Sequence, residues 1–517
     1  MTTTAGADAA LERRIDELVV PIVDEAAMVG MSLGVVRGGR LVASRGYGCA
    51  DVAGPRPADA ATVYRIGSIS KTMTAVVVMQ LVEQGRVALD DPVTEHLRAY
   101  AWSQPAGTRP ATLRDLLTHT SGMGELRSWA DLRDTTTFTL GVDEGEPVPG
   151  QAEYYRKGLR TSLPPGQRWV YANHAIATLG QVVEDVTGRP FTDVAREQVF
   201  AALGMTGSDF VLQPGQRPHL ATGYRRSGAK VERQPWRDIV TPAAGSVFSS
   251  VDDMALYTAA LLNGGANEHG RVLDPESVGQ MLSPQWRAHP SLPGQGLAFK
   301  LDDFDGHRIA WHDGGWPAFR STMMVAPDDD LAVLAFTNSG TDGTHEAVEV
   351  VLRDLLGVPL TTAEARRRAP AAPHTWADLV GVYAPTRAGT ANLSMLLFGL
   401  ELEVLVRDGH LLLRPAVGPL RRGVRLHRSD PDDPLQFETV VESLGVPQLV
   451  RVAFRRGPDG RAAEIVAMVE NPYQMVRRPA LRSARRLGRL AGAAGAAGVL
   501  AAARAARQHA RREGTTS

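Results

Sequence analysis

The chain has 517 residues, of which 44% are hydrophobic and 22% charged, so it has enough material for two or three folded domains and is not disordered as a whole. Its formal net charge of −1 gives it no overall positive field to attract nucleic acid. With a single cysteine, Cys49, neither an internal disulfide nor a cysteine zinc cluster can form.

The N-terminal residues are polar, and no apolar run of signal-peptide length follows a basic start. No stretch elsewhere reaches the roughly 20 apolar residues that a membrane-spanning helix needs. The sequence therefore predicts a cytoplasmic protein.

The first elements alternate between helix and strand. Apolar residues at helical spacing predict a helix over 8–28. Two strands follow around a tight turn at Gly38-Gly39. The apolar run 70–84 predicts a helix that is buried on all sides and capped by Gly85.

The pattern of helices and strands continues to about residue 360. The loop-rich segment 124–165 is expected to lie over a site. Further helices are predicted over 113–118, 175–188 and 344–356. Near residue 309 strands return as RIAWH, STMMVA and LAVLAFTN. Because hairpins join the strands, we expect one mixed α/β domain over 8–360 with a mainly antiparallel sheet.

The composition changes at 361–375, which we interpret as a linker. Asp-Gly turns at 408–409 and 459–460 lie between alternating runs. These runs are NLSMLLF, LELEVLV, HLLLRP, LQFETVV, LVRVAF and AEIVAMV. They predict a small all-β domain, a barrel, over 376–478.

The tail, residues 479–517, is basic and rich in alanine. Residues 477–517 hold ten arginines and one glutamate, so +9 there leaves −10 for the rest of the chain. A frayed helix or disorder is the favoured interpretation. The alternative is an interfacial helix whose arginines make weak contact with anionic lipid.

The first segment with chemical character is Gly67-Ser68-Ile69-Ser70-Lys71. A serine hydroxyl is a weak nucleophile until a base removes its proton. A lysine three residues later on a helix lies on the same face, and burial lowers its pKa so that it is neutral part of the time. The helix start also directs backbone N–H groups toward an oxyanion. On its own the spacing is common, and an N-capping serine with a surface lysine is the alternative.

The second segment, Tyr171-Ala172-Asn173, follows a Pro-Pro-Gly turn and opens a helical run. A tyrosine near a lysine ammonium has a stabilised phenolate and can serve as general base or proton relay. The amide of Asn173 offers both a donor and an acceptor for the lysine and a substrate carbonyl. Tyr171 alone would equally suit a half-buried structural position.

The third segment, WHDGGW at 311–316, directly follows a strand. Two adjacent glycines, Gly314 and Gly315, let a substrate backbone approach the strand edge. We expect the N–H of Gly315 to be the second oxyanion donor beside that of Ser68. A simple glycine turn between strands is the alternative for this segment alone.

In this order, SISK at 68–71, YAN at 171–173 and HDG at 312–314 resemble the three motifs of class C β-lactamase-like serine hydrolases. That family includes penicillin-binding DD-peptidases, class VIII esterases and D-aminopeptidases. The resemblance covers about 8–360 and extends to the flanks VYRIGSISKTMTA, ALDDPVTEHL, LRDLLTHTSG and GSVFSSVDDMALY.

The resemblance implies a β-lactamase/transpeptidase-like fold, with helices around the antiparallel sheet and a helical subdomain. It implies acyl transfer through an acyl-enzyme at Ser68, and leaves open which group takes the proton. The implied site residues are catalytic Ser68, Lys71 and Tyr171, and substrate- or oxyanion-binding Asn173, His312, Gly314 and Gly315. The predicted barrel resembles, in pattern only, the lipocalin-like C-terminal domain of some members.

His312 departs from the lysine that often begins the third motif in β-lactamases and penicillin-binding proteins. A histidine is mostly neutral at pH 7, whereas lysine is a permanent cation for a substrate carboxylate. Asp313 adds negative charge, although we expect its side chain on the opposite face of the strand. We therefore expect cleavage of small ester, amide or peptide substrates, with weak or absent β-lactam hydrolysis. A true β-lactamase or DD-carboxypeptidase is the alternative.

Other chemistries find little support in the sequence. An α/β-hydrolase would need a G-x-S-x-G elbow, which is absent, and His345-Glu346 lacks the second histidine of a zinc motif. No metal or cofactor is expected, and His119 is interpreted as a structural hydrogen-bonder. A catalytically silent penicillin-binding-like protein is the alternative from another class, and no pattern predicts the oligomeric state.

Overall fold

The structure is a computed structural model of the chain. It describes residues 2–126, 140–228, 230–360, 371–386, 401–417 and 419–479. Four predicted features lie wholly or partly outside the described residues: the loop at 127–139, the linker at 361–370, the strand NLSMLLF and the tail from 480. Lipid binding by the tail therefore stays a prediction.

The described residues form twelve α-helices. They are α1 (Thr2–Glu25), α2 (Ser70–Glu83), α3 (Val93–His96), α4 (Leu113–Leu117), α5 (Gln151–Tyr154), α6 (Asn173–Thr187), α7 (Phe191–Ala195), α8 (Pro242–Gly245), α9 (Val251–Leu262), α10 (Pro275–Met281), α11 (Thr344–Leu356) and α12 (Trp376–Leu379). None of them combines the length and apolar character that crossing a bilayer requires.

They also form 24 strands, two-residue strands included. Those of the first part are β1 (Gly30–Arg37), β2 (Arg40–Asp51), β3 (Arg56–Pro57), β4 (Tyr64–Arg65), β5 (Trp102–Ser103), β6 (Gly141–Asp143), β7 (Leu159–Arg160), β8 (Tyr224–Ser227), β9 (Lys230–Arg233), β10 (Arg237–Ile239), β11 (Phe248–Ser249), β12 (Lys300–Phe304), β13 (His307–Trp316), β14 (Phe319–Ala326) and β15 (Leu331–Thr337). Those of the second part are β16 (Gly381–Ala384), β17 (Leu402–Arg407), β18 (His410–Pro415), β19 (Val424–Arg425), β20 (His427–Arg428), β21 (Gln436–Ser443), β22 (Val446–Arg456), β23 (Ala462–Met468) and β24 (Pro472–Arg478).

A seven-stranded antiparallel sheet, in the order β12-β13-β14-β15-β1-β2-β3, organises the first part of the chain. Strand β1 pairs with β15, from Met31 opposite Thr337 to Arg37 opposite Leu331. The turn between β1 and β2 has positive φ at both Gly38 (61°) and Gly39 (69°), which matches the predicted tight hairpin. The predicted mixed α/β fold with an antiparallel sheet is confirmed.

Side chains alternate between the two faces of this sheet, and each face has its own hydrophobic cluster. Along β15, Leu334 and Phe336 belong to the cluster that contains α2, α6 and α9. Val333 and Ala335 belong to the cluster that contains α1 and α11. The sheet is therefore a central layer, and α2 lies on the face opposite to α1.

Helix α2 is the most completely buried helix of the first cluster, with twelve of its fourteen residues buried. Such a helix lacks a polar face and must be central, as the apolar run predicts. Gly85, at φ 65°, follows its C-terminal end. A 3₁₀ turn, Gly67–Ile69, precedes the helix directly and brings Ser68 to its start.

The second part contains a nine-stranded antiparallel sheet that closes almost into a barrel, in the order β19-β18-β17-β16-β24-β23-β22-β21-β20. The chain divides into two compact units. The first comprises Met1–Arg366, Val440–Leu449 and Val469–Asn471, and the second comprises Arg367–Thr439, Val450–Met468 and Pro472–Ser517. The chain therefore passes between the units more than once.

Asn338, which follows β15, joins separate segments of the first unit. Its buried side-chain amide donates to the carbonyl oxygens of Cys49 (3.0 Å), Ala50 (3.1 Å) and Thr222 (2.9 Å). Buried carbonyl groups that lose their donor cost free energy, because water cannot replace it.

We expect Asn338→Ala to lower the free energy of unfolding by about 1–3 kcal/mol, since buried acceptors are left without a donor. Asn338→Asp should lower it further, because a carboxylate oxygen would face carbonyl oxygens. Urea denaturation measures both effects. Asn263→Ala is the control, since Asn263 is exposed and donates only to the carbonyl of Ala266 (3.2 Å). Equal losses at 263 and 338 would contradict the assignment.

Candidate active site

The turn that carries Ser68 is held from two sides. The N–H of Ile66 donates to the carbonyl of Val247 (3.0 Å), and the hydroxyl of Ser321 donates to the carbonyl of Ile66 (2.7 Å). Gly67 has a φ of 51°, which directs the chain sharply into α2. Ser68 is partly exposed although the residues on both sides of it are buried, so its hydroxyl is accessible to a substrate.

Lys71 lies one helical turn after Ser68 and contacts it directly. Its Nζ is 2.8 Å from the Oγ of Ser68 and also donates to the carbonyl of Ala244 in α8 (2.5 Å). Thr74, on the next turn, donates to the carbonyl of Ala243 (2.7 Å), so α2 and α8 are joined along this line. The amine is therefore fixed by two polar contacts rather than reaching freely into solvent.

The environment of Lys71 favours the neutral amine. The side chain has no exposed surface, and burial lowers its pKa well below the usual range for lysine. Asp313 opposes this decrease and Lys300 adds to it. The structure thus provides the condition that lysine needs to accept a proton.

Tyr171 reaches the same hydroxyl from another segment. Its ring centroid is 4.9 Å from the Nζ of Lys71, and its hydroxyl interacts with Ser68 in a way that lowers the pKa of Tyr171. Burial raises the pKa of Tyr171 above its usual value, Asp313 raises it further, and the interaction with Ser68 only partly opposes the increase. Tyr171 is therefore a phenol at neutral pH.

His119 packs against the ring of Tyr171. The two rings lie 4.5 Å apart, the N–H of Ala172 donates to Nδ1 of His119 (3.3 Å), and the N–H of Val170 donates to its carbonyl (2.8 Å). His119 has a φ of 58°, unusual for a non-glycine residue, and only 4% of its surface is exposed. It hydrogen-bonds as the sequence predicts, and it also packs against Tyr171, which sequence reasoning did not foresee.

The third segment approaches the other two along β13. The ring of His312 is 6.5 Å from that of Tyr171, and its Nδ1 contacts the backbone carbonyl of Asp313 (2.5 Å). Strand β12 pairs with β13 only as far as Trp311, opposite Lys300. Within the described chain, this edge of β13 beyond Trp311 has no strand partner, so its backbone groups can meet a substrate.

The glycines of the third segment allow a close backbone approach. A β-carbon at Gly67 would lie 2.7 Å from the nitrogen of Gly315, so the serine turn and β13 touch at this point. Gly315 is exposed, and its N–H lies beside the turn that carries Ser68. Asn173 is partly exposed at the first position of α6, two residues after Tyr171.

Comparison with protein families agrees with this arrangement. The β-lactamase family model matches residues 15–356, which is more than half of the chain. The chain belongs to the β-lactamase family. The resemblance drawn from the three sequence segments is thereby confirmed at the level of the family, and membership indicates a hydrolase of the β-lactamase and penicillin-binding type.

Individual relatives include esterases and penicillin-binding proteins. Esterase EstB of Burkholderia gladioli is 32% identical over 375 residues, which is 67% of this chain and 95% of the esterase. Penicillin-binding protein 4 of Amycolatopsis lactamdurans is 28% identical over 335 residues, covering 62% and 84% of the two chains. The octameric penicillin-binding protein homologue from Pyrococcus abyssi has a TM-score of 0.57 at 22% identity, covering 89% of this chain and 99% of that one, and shares the fold.

Within this β-lactamase-family site, Lys300 and Asp313 form an ion pair on the opposite face of β13. Lys300 Nζ is 2.7 Å from the carboxylate of Asp313 and 4.4 Å from the ring centroid of Trp311, which packs against His345 of α11. Partial burial would raise the pKa of Asp313, but Lys300 and His312 hold it below the usual range. The side chain of Asp313 lies on the face of β13 opposite to His312, as expected. The sequence did not reveal its partner Lys300, because Lys300 lies on another strand.

His312 is neutral for a physical reason that goes beyond its residue type. Burial lowers its pKa to about 3, Asp313 opposes the decrease, and Lys300 and Lys71 add to it. At neutral pH the third segment of this family member therefore presents an uncharged imidazole.

The two adjacent glycines should differ sharply in their tolerance of a methyl group. A β-carbon at Gly314 would lie 2.0 Å from the carbonyl oxygen of Ile66 and 2.2 Å from the hydroxyl of Ser321. At Gly315 the nearest atom, on Arg320, is 3.7 Å away.

We expect Gly314→Ala to destabilise the protein by about 1–3 kcal/mol, because β13 and the serine turn would have to separate. Gly315→Ala is the matched control and should change the midpoint of thermal unfolding far less. Thermal unfolding of both variants measures the difference. Equal shifts would mean that the close packing of the serine turn on β13 is wrong.

Proposed function

We propose that the protein is a serine hydrolase that forms an acyl-enzyme at Ser68 and cleaves small ester or amide substrates. The observation that supports this most directly is the 2.8 Å contact between Ser68 Oγ and the buried amine of Lys71. Tyr171 interacts with Ser68 and lies beside the amine of Lys71. A nucleophile, a neutral base and a phenol thus meet at one accessible oxygen.

In the first step, Ser68 Oγ bonds to the carbonyl carbon of the substrate while its proton passes to the amine of Lys71. We assign this role to Lys71 rather than Tyr171, since the lysine has a lowered pKa and the phenol a raised one. The bond from the carbonyl carbon to the leaving group then breaks. Tyr171 passes a proton to the departing alcohol or amine, and Lys71 replaces it.

In the second step, water bonds to the acyl carbon while Lys71 accepts one of its protons, the ester bond to Ser68 breaks, and Lys71 passes that proton to Ser68 Oγ. In both steps the carbonyl oxygen carries negative charge, for which we propose the N–H groups of Ser68 and Gly315 as donors. Asn173 and His312 orient the substrate, and Gly314 allows its close approach. The chemistry requires no cofactor.

The charges of the third segment favour esters and amides over β-lactams. A β-lactam carries a carboxylate that a third-motif lysine would bind, whereas His312 is neutral with a pKa of about 3. The ammonium of Lys300 contacts Asp313 on the opposite face of β13. We therefore place β-lactamase or DD-carboxypeptidase activity second.

The protein should cleave p-nitrophenyl butyrate with a kcat/KM at least about tenfold above that for nitrocefin, and Ser68→Ala should lose turnover of both substrates by a factor of about 10³ or more. A fluorophosphonate probe should label the wild-type chain at Ser68 and leave Ser68→Ala unlabelled. Ser70→Ala offers a matched serine on the same helix; its hydroxyl donates to the carbonyl of Gly67 (2.5 Å), and its variant should still be labelled.

Three results would count against this proposal. Turnover retained in Ser68→Ala means that the nucleophile is wrong. Efficient nitrocefin cleavage without ester cleavage makes the protein a β-lactamase. Folded wild-type protein without any turnover or adduct identifies a silent penicillin-binding-like protein.

The pH dependence of kcat/KM should reflect the lowered pKa of Lys71. A base is active only when it is deprotonated, so kcat/KM falls as the pH drops through the pKa of Lys71. Because burial lowers this pKa, the acidic limb of the pH profile moves to lower pH. An ordinary lysine, with a pKa of about 10.4, would give a roughly tenfold rise between pH 8 and pH 9. We expect less than about a twofold rise over that interval.

Initial rates with p-nitrophenyl butyrate in a constant-ionic-strength buffer series measure this profile, after subtraction of the rate with Ser68→Ala. The lowered pKa of His312, about 3, also predicts no inflection from this residue near pH 6.5. A tenfold rise per pH unit above pH 8 would show that Lys71 is charged in the resting protein.

A further inference from the structure

Arg65 is the charged residue that the proposed mechanism leaves unexplained. It ends β4, and its side chain is only 3% exposed. Three aromatic rings surround the guanidinium, with centroids 4.7 Å (Trp236), 5.0 Å (Phe248) and 4.6 Å (Trp316) from its central carbon. Aromatic faces stabilise a guanidinium and at the same time remove it from water.

The guanidinium of Arg65 is incompletely paired. One terminal N–H donates to the carbonyl oxygen of Arg237, while Nε finds no hydrogen-bond partner among the described residues. Within the described chain no carboxylate lies close enough to form an ion pair with it, and Asp238 acts on it only from a distance. Burial lowers its pKa to about 10. A buried cation in this state gains from an anionic partner.

Arg65 borders two cavities, of about 280 and 670 Å³. Arg217, Arg233 and Trp236 line both of them as well. The sizes span the range from a small substituent to a whole small ligand. We call the smaller one the arginine cavity; five arginines line it: Arg56, Arg65, Arg217, Arg233 and Arg237.

The arginine cavity is strongly positive although the whole chain has a net charge of −1. Its lining contains one carboxylate, Asp51, which is engaged by the hydroxyl of Tyr224 (2.7 Å). Arg237 is paired with Asp143 (2.8 Å). Arg217 and Arg233 are exposed, and neither has an ion-pair partner among the described residues, so their charge is available to a ligand.

Two of the residues that line the arginine cavity, Arg65 and Trp316, lie close in the chain to candidate active-site residues. Arg65 precedes Ser68 by three residues, so their α-carbons are at most about 11 Å apart. Trp316 directly follows Gly315, the proposed oxyanion donor. Because side chains alternate along a strand, Trp316 also shares the face of β13 with His312 rather than with Asp313. From these short separations along the chain we infer that a substrate of moderate length reaches both Ser68 and Arg65.

We propose that the arginine cavity is a substrate subsite that binds a carboxylate at the far end of the acyl chain. Arg65 forms the charge-assisted hydrogen bonds at the base, Arg217 and Arg233 attract the anion, and Trp236 and Trp316 pack against the hydrocarbon. This assignment rests on the proposed function and narrows its substrates to ω-carboxyacyl esters or amides. In this proposal Arg65 supplies the positive charge that the third segment lacks at His312, and it does so at a different distance from Ser68.

The test compares matched pairs of p-nitrophenyl esters that differ only in the terminal group. The anionic set comprises the mono-esters of glutaric, adipic and pimelic acids, and the neutral set comprises the esters of pentanoic, hexanoic and heptanoic acids. At the best chain length we expect kcat/KM for the anionic ester to exceed that for its neutral partner by about tenfold at low salt. The ratio should decrease as salt screens the charges.

Variants of the cavity arginines test whether these residues cause the ratio of kcat/KM between the anionic and the neutral ester. Arg65→Met should reduce it to about 1, because the methionine retains bulk among the rings but offers no donor. Because Arg65 is buried and its variant can fail to fold, the exposed double variant Arg217→Gln/Arg233→Gln is measured in parallel and should reduce the ratio about threefold. Arg37→Gln/Arg40→Gln, at the β1–β2 turn, is the matched control and should leave the ratio unchanged.

Each outcome decides the proposal. A ratio of 1 or below at every chain length in the wild type, or a ratio in Arg217→Gln/Arg233→Gln equal to that of the wild type, overturns the subsite. If neither ester set is cleaved and no fluorophosphonate adduct forms, the proposed hydrolase function fails instead. The subsite is then judged by calorimetric titration of Ser68→Ala with monomethyl adipate and methyl hexanoate, in which binding of monomethyl adipate no tighter than that of methyl hexanoate overturns it.

Discussion

Helix α2 places Lys71 in the protein interior, where a charged amine is unfavourable because it is removed from water. The chemistry proposed for the site depends on how the protein favours the neutral amine there. Burial moves the equilibrium of Lys71 toward the neutral amine, and the carbonyl of Ala244 and the hydroxyl of Ser68 satisfy its polar contacts. A lysine in water would hold its proton and could not activate Ser68. The burial of helix α2 around Lys71 is therefore a condition for the proposed reaction as well as a feature of the core.

The need to hold Ser68 against the buried amine of Lys71 explains why several backbone segments pack around the turn Gly67–Ile69. Ser321 fixes the carbonyl of Ile66, and glycine at 67 and 314 lets β13 touch the turn. A displacement of about 1 Å would lengthen the 2.8 Å contact between Ser68 and Lys71 beyond a good hydrogen bond. The antiparallel sheet thus positions the site, since it supplies a rigid edge against which the turn that carries Ser68 is held.

The sequence predicted the parts that depend on local pattern. The helix expected over 70–84 is observed at Ser70–Glu83, and the helix expected at 344–356 at Thr344–Leu356. The family fold followed from three ordered segments. Contacts across the chain could not be read in this way: Lys300 meets Asp313 through strand register, and His119 meets Tyr171 through loop packing, so neither leaves a periodic signal.

The same limit applies to substrate charge. The identity of residue 312 alone suggested a site that is less committed to anionic substrates such as β-lactams, and the lowered pKa of His312 agrees for that position. The environment of Arg65 changes this inference, because an anion would stabilise a buried guanidinium that lies among three rings and has an unpaired Nε. A carboxylate bound there would lie on the Trp316 side of the oxyanion donors, so loss of the third-motif lysine would move the preferred anion along β13 rather than remove the preference.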